Sequence, residues 1–171
     1  FTSVINWTLR LGLGLLKQVK PIKKPWIAIL DHSIDIGTKK AFIVLRVELD
    51  ALSKRGSAIT LQDCECIGVT VHETVNGEQV YADLVEIFKK SGKPTAIIKD
   101  GDSSLQKGCK LWSNTQEGKA EIIYDIGHSM AAALKEEYER TEDYINFTAL
   151  VSKAAHRLRQ TQLAFLMPPK L

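Results

Sequence analysis

Three aspartates stand directly after short apolar runs of the sequence. The runs span 26–30, 95–99 and 120–124, and the acids that follow them are Asp31, Asp100 and Asp125. Carboxylates gathered at the carboxyl ends of strands can share a cation, and Mg²⁺ prefers such oxygen ligands. Two Mg²⁺ or Mn²⁺ ions about 3.5–4 Å apart would activate an attacking water or 3′-hydroxyl and stabilise the leaving oxygen. The pattern predicts a divalent-metal site on Asp31 and Asp100.

These acids also have structural alternatives. An aspartate after an apolar strand often forms an Asx turn or caps a helix. Asp102 lies close enough to the same strand to replace Asp100 as a ligand. His128 follows Asp125 by three positions, so it can begin a helix while hydrogen-bonded to Asp125.

The first half of the chain predicts three strands after an N-terminal helix. The apolar run Trp26–Leu30 indicates a buried strand that ends at Asp31. A turn at 35–37 and the β-rich segment Lys40–Leu49 complete a hairpin. The segment Cys64–His72 adds a third strand, and the three are expected to be antiparallel neighbours.

The second half predicts alternating helices and strands. In chain order these are a helix opened at Gly77 and stopped at Gly92, a strand at 95–99, a helix at 105–112, a strand at 121–124, and helices at 128–140 and 145–166. The order β-β-β-α-β-α-β-α, with an antiparallel start and a parallel finish, predicts an α/β fold with flanking helices.

Charge is unevenly distributed along the chain. All 20 acidic residues lie between Asp31 and Asp143, so both ends are basic. Cationic clusters attract phosphate backbones through counterion release, which makes DNA a reasonable partner. The basic residues expected to contact it are Lys20, Lys23, Lys24, Arg157 and Arg159. The alternative is that these are ordinary solvated helix faces.

Composition excludes several classes of protein. Hydrophobic residues make up 44% and charged residues 25%, as in an average globular domain, and no apolar run reaches membrane-spanning length. The cysteines Cys64, Cys66 and Cys109 are odd in number and lack metal-ligand spacing. Unpaired thiols in a cytoplasmic protein, with no membrane partner, are therefore expected.

Several segments together resemble one superfamily. They are Trp26-Ile-Ala-Ile-Leu-Asp31-His-Ser, the hairpin strand Lys40–Val47, Lys93-Pro-Thr-Ala-Ile-Ile-Lys-Asp100-Gly-Asp102, and Asp125-Ile-Gly-His128. They resemble the DDE-type transposases of the RNase H-like, retroviral-integrase superfamily, and the last is similar to the Asp-x-x-His motif of the Mutator-like and hAT-like branches. The resemblance covers about 26–140.

This resemblance implies an RNase H-like core that cuts and joins DNA with Mg²⁺ or Mn²⁺. In that core, Asp31 and Asp100 become metal ligands, while Asp125 and His128 become an accessory pair. It also implies a homo-oligomer assembled on DNA. Residues 26–140 would form the catalytic core, residues 1–25 a helix and hinge ending an upstream DNA-binding region, and residues 141–171 the start of a helical insertion.

The third acid of such a site is expected beyond Leu171. The chain opens on Phe1 and closes without a polar tail, which predicts a fragment. Without the third acid, that fragment is expected to be inactive by itself. Glu136 has the integrase spacing from Asp100. A stripe of Met130, Ala131, Leu134 and Tyr138 is predicted to be the buried face of its helix, and Glu136 points away from that stripe. Glu137 lies nearer the edge and remains an alternative.

Other functions compete with this hypothesis. An RNase H-like nuclease would use the same acids without strand transfer, and a non-catalytic remnant would bind DNA only. The segment Asp31-His-Ser33-Ile-Asp35 partly matches the Asp-x-Ser-x-Ser metal motif of von Willebrand A-like modules. That fold requires a helix soon after the motif, whereas Lys40–Leu49 predicts a strand.

Overall fold

The computed structural model describes residues 2–36, 39–54, 59–115 and 119–159. The elements in those ranges are α1 (Thr2–Lys17), β1 (Trp26–Ile36), β2 (Lys39–Glu48), α2 (Leu49–Lys54), β3 (Glu65–His72), α3 (Gly77–Ser91), β4 (Ala96–Lys99), α4 (Ser103–Ser113), β5 (Glu121–Tyr124), α5 (Ile126–Tyr138) and α6 (Glu142–Arg159). A 3₁₀ turn at Leu61–Asp63 precedes β3. The predicted order of elements is confirmed, with α2 and this turn as additions.

The strands form one mixed sheet in the order β3-β2-β1-β4-β5. β1 pairs antiparallel with β2, and β2 pairs antiparallel with β3. β4 is parallel to β1, and β5 is parallel to β4. The α/β class, the antiparallel start and the parallel finish are therefore as predicted.

β1 is longer than the sequence indicated. Its parallel pairing with β4 stops at Leu30 opposite Lys99, but its antiparallel pairing with β2 continues through Asp31 opposite Ile43 to Ile36. The expectation that the strand ends at Asp31 is wrong. The apolar run marks only the part of β1 that has a strand on both sides, and polar residues are tolerated beyond it. Of the turn predicted at 35–37, residues 35 and 36 are still strand, and residue 37 lies outside the described ranges.

The hydrophobic core lies between one face of the sheet and helices α3 and α4. Trp26 of β1 packs edge-on against Phe88 of α3 at 5.9 Å between ring centroids, and Phe88 packs against Trp112 of α4 at 4.8 Å. α3 is followed by Gly92, whose φ of 88° favours glycine and confirms the predicted stop. This packing fixes α4, and with it the loop that follows β4.

A buried arginine joins three parts of this first half of the chain. Arg46 of β2 is 5% exposed, and its Nε donates to Glu65 Oε2 at 3.1 Å. Its Nη1 donates to the carbonyl oxygens of Lys20 at 2.9 Å and Ser91 at 3.3 Å. The guanidinium carbon lies 5.7 Å from the centroid of the Trp26 ring. Arg46 thus fastens the segment after α1 and the end of α3 to the sheet.

The chain divides into two compact units between Asp125 and Ile126. The second unit contains α5 and α6, where the Thr141 hydroxyl donates to the carbonyl oxygen of Tyr138 at 2.7 Å between the two helices. The helix predicted at 145–166 begins earlier, at Glu142, and is described as far as Arg159. The predicted segment limits at residues 25 and 140 stay predictions.

The predicted buried stripe of α5 is not buried. Met130, Leu134 and Tyr138 are 60%, 55% and 49% exposed. The expectation was wrong because apolar periodicity marks a face that is able to pack, without supplying a partner for it. Burial of this stripe therefore gives no reason to exclude Glu136, and Glu136 and Glu137 both stay possible as the third acid.

α1 is also apolar at its surface. Trp7 is 77% exposed, and Leu11 and Leu15 are more than half exposed. None of the helices that the structure describes combines the length and the apolar character needed to cross a membrane.

Candidate functional site

Asp31 and Asp100 occupy neighbouring positions at one edge of the sheet. Each is the next residue after the last parallel pair, Leu30 with Lys99. Adjacent strands are about 4.8 Å apart and side chains alternate between faces, so both positions belong to the face opposite the core. Asp31 is exposed and Asp100 is half-buried. The parallel register therefore gives two of the three aspartates singled out in the sequence neighbouring positions along the backbone.

Asp100 and Asp102 shape the loop between β4 and α4. Asp100 Oδ1 accepts a hydrogen bond from the backbone N of Asp102 at 2.9 Å, which closes an Asx turn. Asp102 caps α4, since its Oδ1 accepts from the backbone N of Ser104 at 2.7 Å and of Leu105 at 3.1 Å. Burial raises the pKa of Asp102, but these hydrogen bonds and that of the Ser104 hydroxyl lower it overall. Each of the two carboxylates thus uses its Oδ1 in the loop, and the choice of Asp100 over Asp102 as metal ligand stays a prediction.

His32 is a member of this cluster that the sequence did not assign. Its side chain is 5% exposed, its Nδ1 lies 3.9 Å from Asp102 Oδ1, and its ring centroid lies 5.2 Å from that of Phe42. Burial lowers the pKa of His32, against the opposing effects of the Asp102, Asp100 and Asp31 carboxylates. The sequence feature that could have identified His32 is its position next to Asp31: in an alternating strand, the residue after an exposed one lies on the buried side.

Lys99 supports the backbone of Asp100 from the core side of the sheet. Its side chain is buried, its Nζ donates to the carbonyl oxygen of Asp100 at 2.9 Å, and Nζ lies 4.0 Å from the centroid of the Tyr124 ring. Burial lowers the pKa of Lys99, while the neighbouring Cys109 thiol and acids raise it. In the sequence, a lysine inside an otherwise apolar strand is the feature that marks this role.

The candidate metal ligands at this site are the carboxylates of Asp31 and Asp100. Two carboxylates from adjacent strands match the oxygen ligands of Mg²⁺, which keeps several waters. Within the described residues, no group of three or more His, Cys, Asp or Glu side chains could hold a metal ion. A pair of carboxylates is smaller than such a group, so a Mg²⁺ or Mn²⁺ site on Asp31 and Asp100 stays a prediction.

The register also places Asp125 next to Asp100, because it follows the last pair of β4 and β5, Lys99 with Tyr124. The backbone N of Asp125 donates to the carbonyl oxygen of Lys99 at 2.8 Å, which places Asp125 just beyond β5. His128 and Glu137 lie on α5, in the second unit. The accessory roles of Asp125, His128 and Glu137 stay predictions.

The predicted DNA-contacting residues differ in their surroundings. Lys20, Lys23 and Arg157 are exposed. Lys24 is paired, with its Nζ 2.8 Å from Glu48 Oε2 and 3.8 Å from Asp50 Oδ2, and its hydrogen bond to Glu48 raises its pKa. The side chain of Arg159 lies outside the described part of the chain. DNA contact by these five residues stays a prediction.

The von Willebrand A-like alternative fails on the fold. Residues 39–48 form strand β2, directly paired with β1, where that module requires a helix. Compared with known families and proteins, the chain matches no family model and no curated protein. The case for function therefore rests on the geometry and on the motifs.

The three cysteines are free thiols, as predicted. We expect Cys64 and Cys66 to react with a thiol reagent in the native protein, and buried Cys109 to react only after unfolding. Burial raises the pKa of Cys109 to about 12, from 9.0. Its contribution to stability is present below pH 9.0 and is lost as pH rises through about 12. Titration of the unreduced, unfolded chain should count three thiols, and a count of one would contradict this.

Proposed function

We propose that this chain is part of the catalytic core of a DDE-type transposase, which cuts DNA strands and joins them to a target. One observation carries the proposal: Asp31 and Asp100 follow the last paired residues of two adjacent parallel strands. In the superfamily that the motifs resemble, the first acid lies on strand one and the second follows strand four, which are the positions of these residues in β1 and after β4.

An RNase H-like fold is the finer assignment that we propose for the sheet. Its support is the order of elements, in which three antiparallel strands precede two parallel strands separated by helices. The first strand is central, with β2 on one side and β4 on the other. Because β1 is central and parallel to β4, Asp31 can lie close to Asp100. The proposed chemistry needs two carboxylates close together.

The chain's own contribution to the chemistry is to fix two carboxylates. The ladder between β1 and β4 sets their spacing, the Asx turn orients the Asp100 carboxylate, and the Lys99 ammonium holds the Asp100 carbonyl group. Asp31 and Asp100 would hold Mg²⁺ or Mn²⁺, which when bound supplies an activated attacking oxygen and stabilises the leaving one. The third acid of the proposed metal site is expected to lie outside the pair formed by Asp31 and Asp100.

Partners and location follow as parts of the same proposal. DNA would be held by the basic ends, where Lys20, Lys23 and Arg157 are exposed. The resemblance alone supports a homo-oligomer on DNA. Free thiols support a reducing, cytoplasmic location.

A strand-transfer assay tests the proposal. The full-length protein is incubated with a labelled, pre-cut DNA end, a circular target and Mg²⁺. A transposase is expected to give labelled products joined covalently to the target. Nicks without joined products would instead support an RNase H-like nuclease, and DNA binding without either product would support a non-catalytic remnant.

A further inference from the structure

A cleft opens between helices α3 and α4, within the first unit of the chain. Its volume is about 570 Å³, which lies in the range of small-molecule pockets. Gly92 and Lys93 belong to its lining and precede β4, whereas Asp100 follows that strand. The cleft therefore lies toward the opposite end of β4 from the candidate metal site and is a separate place on the molecule.

Most of the surface that this cleft offers is apolar. Val85 is 36% exposed and Tyr81 is half-buried, so both present side-chain surface to a ligand. Phe88 and Trp112, which pack edge-on against each other, are buried and form the inner part of the lining. Aromatic rings pack well against one another in offset or edge-on arrangements. The lining therefore suits a ligand with an aromatic body.

The charged groups of the lining favour an anion. Lys89 and Lys93 are both exposed, and no acidic side chain is among the described residues that line the cleft. Within the described part of the chain these two lysines form no ion pair, in contrast to Lys24, Lys39 and Lys107. Two ammonium groups without a neighbouring carboxylate attract a negatively charged group.

We propose that this cleft binds a small organic acid with an aromatic body, of the aryl carboxylate class. The ring packs against Tyr81 and Val85, and the carboxylate is held by Lys89 and Lys93. A neutral aromatic molecule would leave the two ammonium groups without a counter-charge, and an inorganic anion would leave the apolar surface in water. The volume of the cleft matches one small ligand, which favours a free molecule over a longer acidic peptide. This inference does not depend on the proposed function.

Amide NMR of the 171-residue chain tests the proposal with 2-naphthoate and its neutral analogue 2-naphthamide. 2-Naphthoate should shift the signals of Gly92 and of the Trp112 indole, and it should bind at least about fivefold more tightly than 2-naphthamide. The double variant Lys89→Met/Lys93→Met should reduce that difference to about twofold or less. Lys110→Met/Lys153→Met, which removes the same charge from exposed lysines outside the lining, should keep the difference.

A second variant locates the ligand in the cleft. Val85→Glu places an acid on the exposed part of the wall, so it should weaken 2-naphthoate binding at least about tenfold. Val151→Glu adds the same charge on α6, where the valine is 50% exposed, and should leave binding unchanged. Circular dichroism checks that each variant is folded.

Four results would each overturn the proposal. The first is binding of 2-naphthoate and 2-naphthamide within about twofold of each other. The second is a set of signal shifts confined to the exposed apolar residues of α1 and α5, which would show general binding to apolar surface. The third is at least about tenfold tighter binding of a blocked Glu-Phe-Glu-Glu peptide than of 2-naphthoate, which would assign the cleft to an acidic peptide. The fourth is self-association in sedimentation that Val85→Glu abolishes, which would assign it to a second copy of the chain.

Discussion

Asparagine at Asp31 or at Asp100 is expected to lower Mg²⁺-dependent DNA cleavage by the full-length protein at least about 100-fold. Asparagine keeps the shape of the side chain and its Asx-turn oxygen but removes the negative charge that attracts the metal. The loss should therefore appear in the rate of nicking, while circular dichroism and the unfolding midpoint stay close to those of the wild type.

Asp102 provides a matched control from the same loop. Asparagine caps helices about as well as aspartate, so Asp102→Asn should preserve both the start of α4 and cleavage. Asp143→Asn, on exposed α6, controls for the loss of one charge elsewhere. If Asp102→Asn abolished cleavage while Asp100→Asn retained it, the wrong acid of this loop would have been chosen.

Arg46→Met is expected to lower the free energy of unfolding by about 2–4 kcal/mol. Methionine fills a similar volume but donates no hydrogen bonds. The carbonyl oxygens of Lys20 and Ser91 would lose their donor in a partly or fully buried setting, and Glu65 would lose its partner. Urea unfolding followed by circular dichroism measures the change.

Two further variants separate the buried contacts of Arg46 from its surface ion pair. The Glu65 side chain is 53% exposed, so Glu65→Gln should cost less than about 1 kcal/mol. Lys24→Met, which removes an exposed pair with Glu48, should change the unfolding midpoint little. A loss below about 1 kcal/mol for Arg46→Met would show that the buried carbonyl contacts do not stabilise the fold as described.

Local patterns in the sequence predicted most of the order of elements. The apolar run before Asp100 coincides with the end of β4 at Lys99, and the run before Asp125 coincides with the end of β5 at Tyr124. The glycine stop at Gly92 also falls where α3 ends. These features depend on neighbours in the chain, namely strand alternation, helix capping and turn geometry. The register that sets Asp31 beside Asp100 then follows from parallel pairing of the two runs.

Features that depend on distant partners could not be predicted in the same way. Arg46, His32 and Lys99 are polar residues within strands, and each is buried because a group from elsewhere in the sequence surrounds it. Periodicity assigns such positions to the core without naming a partner. The end of β1 was missed for a related reason, since the continuous apolar run ends at Asp31 although pairing with β2 continues to Ile36.

Mn²⁺ binding to residues 1–171, measured by electron paramagnetic resonance, tests the central claim most directly. The claim is that Asp31 and Asp100 together hold a divalent cation. It predicts binding by the wild-type chain, at least about tenfold weaker binding by Asp31→Asn and by Asp100→Asn, and unchanged binding by Asp143→Asn. Equal Mn²⁺ affinity in all four folded proteins would contradict it.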